Sequence, residues 1–311
     1  MARFVKVAAA QMGPVARDED RTCVVARLLK MMREAKDWGC DIVVYPELAL
    51  TTFFPRWLIE DEAELDSYYE TEMPSPDVQP LFDEARKLGI GFQLGYCEIV
   101  NEGGRKRRFN TSVLVDKNGE IIGKYRKIHM PGNSELWDKP AQHLEKRYFE
   151  IGDLGFPVFE GFGGRIGMAI CNDRRWPETY RCMGIQSVEM IMIGYNTPVG
   201  IDYNFDHDVL ASFHNHLVLQ AGAHQNATWV VAVAKCGIEE SSKMIGQSCI
   251  VAPSGEIVAM TSTLGDEVIV HKCDLDAGLP YKEDLFNFGL HRRPEHYGLI
   301  VETAGPITPQ K

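Results

Sequence analysis

From Phe4 to Glu47 the chain reads FVKVAAAQMGPVARDEDRTCVVARLLKMMREAKDWGCDIVVYPE. Phe4–Ala10 is a small apolar strand. Val24, Val25, Leu28, Leu29, Met32 and Ala35 then recur at the spacing of one helix face, and Gly39 stops the pattern. Ile42–Tyr45 is a short β-branched and aromatic run, the signature of a buried strand. One stretch therefore holds a strand, a helix and a second strand, which sets an α/β reading.

The rhythm continues outward. Val78, Leu81, Phe82, Ala85 and Leu88 form another apolar helix face that stops at Gly89, and Ile90–Cys97 reads as a strand. Hairpins follow. Thr111–Asp116 and Glu120–Lys124 flank Lys117-Asn118-Gly119, a turn signal. Val158–Glu160 and Arg165–Ile170 flank a glycine-rich turn, and Cys249–Ala252 and Ile257–Met260 flank Pro253-Ser254-Gly255-Glu256. Between them lie a short helix after Pro177, a strand at Val188–Ile193, a long helix from Asp206 to Asn226 and a strand at Trp229–Ala234. Strands mixed with helices and hairpins predict a mixed sheet covered by helices, with a second sheet packed against it. No linker or composition break divides the chain. A single domain over 1–300 is expected, with 301–311, which holds Pro306 and Pro309, leaving it as a tail.

Composition narrows the function. The 311 residues are 45% hydrophobic and 25% charged, which excludes a disordered chain. The 33 Lys and Arg against 44 Asp and Glu give a net charge of −11, unlike the basic footprint of a nucleic-acid or membrane-surface protein. No apolar run approaches the roughly 18 residues of a membrane span. The eight cysteines form no C-x-x-C pair, so zinc and thioredoxin-like patterns are absent. Reduced thiols and a cytoplasmic location are expected.

Three stretches put reactive groups at strand ends. In Val43-Val44-Tyr45-Pro46-Glu47-Leu48 a carboxylate follows a buried strand, on the rim where α/β proteins hold ligands; it also reads as a plain loop carboxylate. In Gly123-Lys124-Tyr125-Arg126-Lys127-Ile128-His129-Met130-Pro131 basic residues close a hairpin strand, a pattern shared with any solvated face. In Gly167-Met168-Ala169-Ile170-Cys171-Asn172-Asp173-Arg174-Arg175-Trp176-Pro177-Glu178 a strand of small residues runs into a cysteine and then a helix start. That is the geometry of a nucleophile elbow, although a buried structural cysteine fits the same letters. Together the three are more specific. A cysteine nucleophile needs a base and donors for the oxyanion. Glu47 is the candidate base; Lys127 and the backbone N–H of Asn172 are candidate donors.

The three stretches resemble the signature segments of the nitrilase superfamily of carbon–nitrogen hydrolases, in that family's order, and the similarity runs over nearly the whole chain. Within it the chain resembles the D-carbamoylases, which hydrolyse N-carbamoyl-D-amino acids. PELALTTFFPRW from Pro46, DEAELDSYYETEMP from Asp61, GKYRKIHMPG from Gly123, QHLEKRYFE from Gln142, ICNDRRWPE from Ile170 and GYNTP from Gly194 carry that likeness. The loops Asn133–Ala141 and Val199–Phe205 depart from it. The resemblance implies a four-layer αββα sandwich, with protomers pairing into dimers and tetramers. It implies Glu47 as general base, Lys127 as oxyanion donor, Cys171 as nucleophile and Glu145 as a second carboxylate. It also implies that His143, Asn172, Arg174, Arg175, Asn196 and Thr197 line the substrate pocket.

The residues bear on these assignments unevenly. A substrate carboxylate calls for a guanidinium, which binds it through two hydrogen bonds. Arg174 and Arg175 sit three and four residues after Cys171; either also reads as an ion-pair partner of Asp173 or Glu178. His143, beside Glu145, reads equally as a structural histidine, and Asn196 as a turn residue before Pro198. His207, His214, His216 and His224 fall on the long helix without H-E-x-x-H, so no metal is expected. There is no P-loop, and no cofactor is expected. The expected partner is a small-molecule substrate, with neither nucleic acid nor membrane. The alternatives are a β-ureidopropionase or aliphatic amidase on the same fold, or a scaffold without turnover, against which the intact Glu47, Lys127, Glu145 and Cys171 set speaks.

Overall fold

The computed structural model describes residues 2–138, 142–200 and 205–307. Both departing loops lie partly outside these residues, at 139–141 and 201–204, as does the end of the expected tail at 308–311. Strand β1 (Phe4–Gln11) leads into α1 (Arg21–Asp37). Asp20 caps that helix by accepting from the Thr22 N–H, satisfying one of the donors that a helix start leaves open. β2 (Ile42–Val44), α2 (Glu62–Asp66), α3 (Gln79–Leu88), β3 (Gly91–Glu102), β4 (Arg105–Val115) and β5 (Ile121–Arg126) make up the rest of the first half. The second half begins with α4 (Glu145–Tyr148), β6 (Val158–Gly161), β7 (Gly164–Ile170), α5 (Pro177–Ile185), β8 (Met190–Tyr195), β9 (Pro198–Val199) and α6 (Phe205–Gln225). β10 (Trp229–Ala234), β11 (Cys236–Glu239), β12 (Ser242–Ile245), β13 (Cys249–Val251), β14 (Ile257–Met260) and β15 (Glu267–Asp274) follow.

Two six-stranded mixed sheets result, ordered β15-β1-β2-β3-β4-β5 and β14-β13-β10-β8-β7-β6. Each has a parallel centre: β1, β2 and β3 in the first, β7, β8 and β10 in the second. The period-2 alternation of strands decides the layers. On β1, Val5, Val7 and Ala9 join the apolar cluster shared with β7, β8 and β10, between the sheets. Ala8 and Ala10 face the other way, into a cluster with Val24, Leu28 and Met32 of α1 and Leu81, Phe82 and Ala85 of α3. Tyr180 and Met183 of α5 and Leu219 and Ala223 of α6 cover the second sheet. The order is helix, sheet, sheet, helix, as the α/β sandwich reading expects.

Several elements differ from the sequence reading. β3 continues past Cys97 to Glu102 and returns through Gly103-Gly104 into a β4 that begins at Arg105. Its charged outer half reads as loop, yet Arg107 pairs with Glu102, Glu150 and Asp153, and Arg108 with Asp66, so the ladder holds. β15, and the small sheet β11-β12-β9, were too short or too charged to read as strands. Residues 301–302 complete a helical turn, Gly298–Glu302.

Two glycines let the sheets close on the turn after β2. A Cβ on Gly95 would lie 2.6 Å from the Pro46 carbonyl oxygen and 2.9 Å from the Glu47 Cα; one on Gly194 would lie 2.4 Å from the Glu47 nitrogen. Backbone cannot yield there as a flexible side chain does. Gly194→Ala should therefore destabilise the protein by about 1–3 kcal/mol, the usual cost of overpacking. A urea unfolding curve measures it, and an unchanged midpoint would contradict this close approach.

Candidate active site

The rim formed by the ends of β2, β5, β7 and β8 gathers the predicted chemistry. Lys127 follows β5, held by its N–H to the Asn110 carbonyl at 2.8 Å, and is fully buried. Its Nζ donates to Glu47 Oε1 at 2.7 Å and to Glu145 Oε2. Glu47 and Glu145 are also fully buried. Glu47 accepts further from Asn110 Nδ2 at 2.8 Å and from the Asn196 N–H at 3.0 Å. His143 Nε2 lies 2.8 Å from Glu145 Oε1; a carboxylate only accepts, so this nitrogen carries the proton.

Cys171 follows β7 with φ +49°, a left-handed conformation that costs a non-glycine residue energy and marks the sharp turn of an elbow. Its thiol donates to the Asn196 carbonyl at 3.2 Å. The turn Cys171–Arg175 is a 3-10 helix, whose first N–H groups have no acceptor within it. The Asn172 N–H is one of these, beside the nucleophile. Asn196 thus touches both reacting groups: its N–H and Nδ2 serve Glu47, and its carbonyl serves Cys171.

Burial alone would lower the pKa of the Lys127 ammonium, but the charges of Cys171, Glu145 and Glu47 hold it well above the ordinary lysine value. Burial would raise Glu145; the Lys127 charge and the His143 hydrogen bond instead hold it at about 2. For Cys171, burial and then the Glu47 charge push the thiol up to about 11, against the pull of Lys127 and Arg174. Cys171 is therefore a thiol at neutral pH, and attack by its sulfur would require removal of that proton.

The remaining predicted residues divide. His143, Asn196 and Thr197 are buried at the cluster. Asn172 is half-buried, its Nδ2 donating to the His129 carbonyl and its Oδ1 accepting from Arg175 Nη1. Arg175 is exposed on the turn. Arg174 lies against Cys171 and Thr197, two other residues of the expected pocket. It packs beneath the turn, 1% exposed, with Nε on Asn215 Oδ1 at 2.9 Å, Nη1 on the Cys171 carbonyl at 2.7 Å and Nη2 on Thr197 Oγ1 at 2.7 Å. Each of its three nitrogens thus donates to a protein oxygen. Asp173 is not its ion-pair partner. That fully buried carboxylate accepts from Tyr125 Oη, from the Ile170 and His129 N–H groups and from His129 Nδ1. It ties the Lys127 segment to the cysteine turn.

Sequence reasoning missed Asn110, Asp173 and Asn215 as parts of the site. The signal for Asn110 was a lone amide between Phe109 and the β-branched start of a strand. Asp173 lay inside a quoted motif without a role.

With this geometry the comparisons become specific. The family model for carbon-nitrogen hydrolases matches residues 6–282. The chain belongs to the carbon–nitrogen hydrolase family. An N-carbamoylputrescine amidase of Arabidopsis thaliana is 30% identical over 93% of this chain and 93% of its own length. A nitrilase of Pyrococcus abyssi is 30% identical over 94% of this chain and 99% of its own. Among solved structures, a carbon-nitrogen hydrolase from Helicobacter pylori superposes with a TM-score of 0.83 at 20% identity, covering 97% of this chain and 99% of that one, a likeness of fold.

The depressed Glu145 makes a pH prediction for this family member. A group whose folded pKa lies below its unfolded value stabilises the fold above the unfolded pKa and loses that contribution as pH falls through the folded one. This group's contribution to stability should thus be lost as pH falls from about 5 toward about 2. Glu145→Gln should flatten that limb of a stability–pH curve; an equally steep limb would show that Glu145 is not the group held low.

Proposed function

We propose that this hydrolase converts N-carbamoyl-D-amino acids to the D-amino acid, ammonia and carbon dioxide. The coarser activity, hydrolysis of carbon–nitrogen bonds in amide or carbamoyl compounds, follows from the family. The observation that carries the finer reading is an exposed guanidinium, Arg175, on the same turn as Cys171, four residues beyond it. A carboxylate next to the ureido group would meet it there through two hydrogen bonds. The D configuration rests on the likeness of the six quoted segments to the D-carbamoylases. The Arabidopsis relative is named for a carbamoyl amine, which has no carboxylate to bind.

The reaction uses groups already in place. Glu47 takes the thiol proton and Cys171 attacks the ureido carbon. The oxyanion rests on Lys127 Nζ and the Asn172 N–H, in a dry site where such donors act most strongly. Ammonia leaves with the proton from Glu47. Water, activated by the same carboxylate, opens the thiol-bound carbamoyl group. The released carbamate loses carbon dioxide, so one water is consumed in all. Glu145 and His143 keep Lys127 charged and aimed. The proposal extends to a cytoplasmic enzyme that self-associates into dimers and tetramers, supported by the exposed Val209, Leu210, Phe213 and Leu217 on α6.

Ammonia release from D- and L-N-carbamoyl amino acids and a carbamoyl amine tests the substrate. Turnover of the D-compounds above the others is expected; turnover of the amine alone would reject it. Cys171→Ala should remove turnover and leave the unfolding curve near that of the wild type; residual activity beyond a trace would remove the nucleophile assignment. Arg175→Lys keeps the charge but not the fork. It should cost about ten- to hundredfold in kcat/KM on carboxylated substrates, the worth of a hydrogen bond to a charged group, and little on the carbamoyl amine. Equal losses on both would place Arg175 in support of the turn instead.

A further inference from the structure

Arg174 is a buried cation with no carboxylate in contact among the described residues, and it touches the sulfur. Its Nη1 lies 3.8 Å from Cys171 Sγ, its guanidinium stacks 4.3 Å from the centre of the Tyr195 ring, and its other donors meet only neutral oxygens, on Cys171, Thr197 and Asn215. Burying a charge without a counter-charge is expensive. We propose that Arg174 is a catalytic residue whose counter-ion is the Cys171 thiolate itself. This rests on reading Cys171 as the nucleophile.

The charges around Cys171 support the assignment. Glu47 faces it from the end of β2, Lys127 from the end of β5, Glu145 with its His143 from α4, and the Tyr195 phenol from β8. Glu47 and Glu145 balance Lys127 and Arg174, and Asp173, on the turn itself, is a third buried carboxylate, held by Tyr125, His129 and the Ile170 N–H. When the thiol proton moves to Glu47, one negative charge moves from oxygen to sulfur and the total charge is unchanged. Lys127 is hydrogen-bonded to both Glu47 and Glu145. Lys127 and Arg174 both favour the thiolate, and Arg174 is the one with a donor 3.8 Å from the sulfur that is not hydrogen-bonded to Glu47 or Glu145. Its hydrogen bond to the Cys171 carbonyl also holds the left-handed turn. A neutral residue of the same size would leave the thiolate in a set one charge more negative.

The test is the pH dependence of Cys171 alkylation by iodoacetamide in the full-length protein, followed at that cysteine by peptide mass spectrometry from neutral to alkaline pH. Arg174→Gln should raise the midpoint by about one pH unit or more. Arg174→Lys, which keeps the charge, should stay near the wild type. Asn215→Asp sets a carboxylate on the Arg174 Nε, giving the cation another partner, and removes the amide donor to Tyr195 Oη. It should also raise the midpoint, and it decides the matter if Arg174→Gln does not fold. An unchanged or lowered midpoint in folded Asn215→Asp or Arg174→Gln overturns the proposal. So does an unchanged midpoint together with lost turnover of carboxylated substrates alone, which would make Arg174 a substrate ligand. No substrate enters the alkylation measurement. Turnover by Cys171→Ala would therefore refute the nucleophile reading separately.

Discussion

One buried ammonium organises this protein. Lys127 has no contact with solvent, and two fully buried carboxylates share its charge. Removing three ions from water costs several kcal/mol for each, and the cost is offset only if every donor and lone pair is placed. The surrounding structure can be read as that placement. Asn110 and the Asn196 N–H complete Glu47, His143 completes Glu145, and the Asn110 carbonyl fixes the Lys127 backbone. The proposed mechanism uses the same fact, because an ammonium held charged between two carboxylates is suited to donate to an oxyanion.

The frame was legible in the sequence because period and punctuation are local. Val24 through Ala35 needed only helical spacing and Gly39, and β1 and β2 needed only short apolar runs. What failed was non-local. The outer half of the β3–β4 hairpin is charged, and only its ion pairs across to Asp66, Glu150 and Asp153 explain why it is a strand. Glu47, Lys127 and Cys171 were readable from position at strand ends. Glu145, His143, Asn196 and Thr197 came through family likeness, since nothing in their spacing marks them. Asn110 and Asn215 act through the side chains they hold, and an orienting amide has no signature of its own.

The two adjacent arginines show the limit of motif reading most clearly. Arg174 and Arg175 carry the same chemistry one residue apart, yet the 3-10 turn sends one under the nucleophile and leaves the other in solvent. Burial separates a cation that can serve the protein's own sulfur from one that can reach a ligand. No composition argument could divide them.

Glu47 and Lys127 hang from the first sheet, while Cys171 and Asn196 hang from the second. The hydrogen bonds among them therefore act as a bolt through the sandwich, and the centre measures how the two sheets are seated. A slip of one sheet over the other by a fraction of an ångström, seeded by a repacked residue far from the rim, would leave every secondary element intact and still misalign sulfur and carboxylate. The hydrogen bonds across the rim are in that sense a strain gauge for the apolar interior.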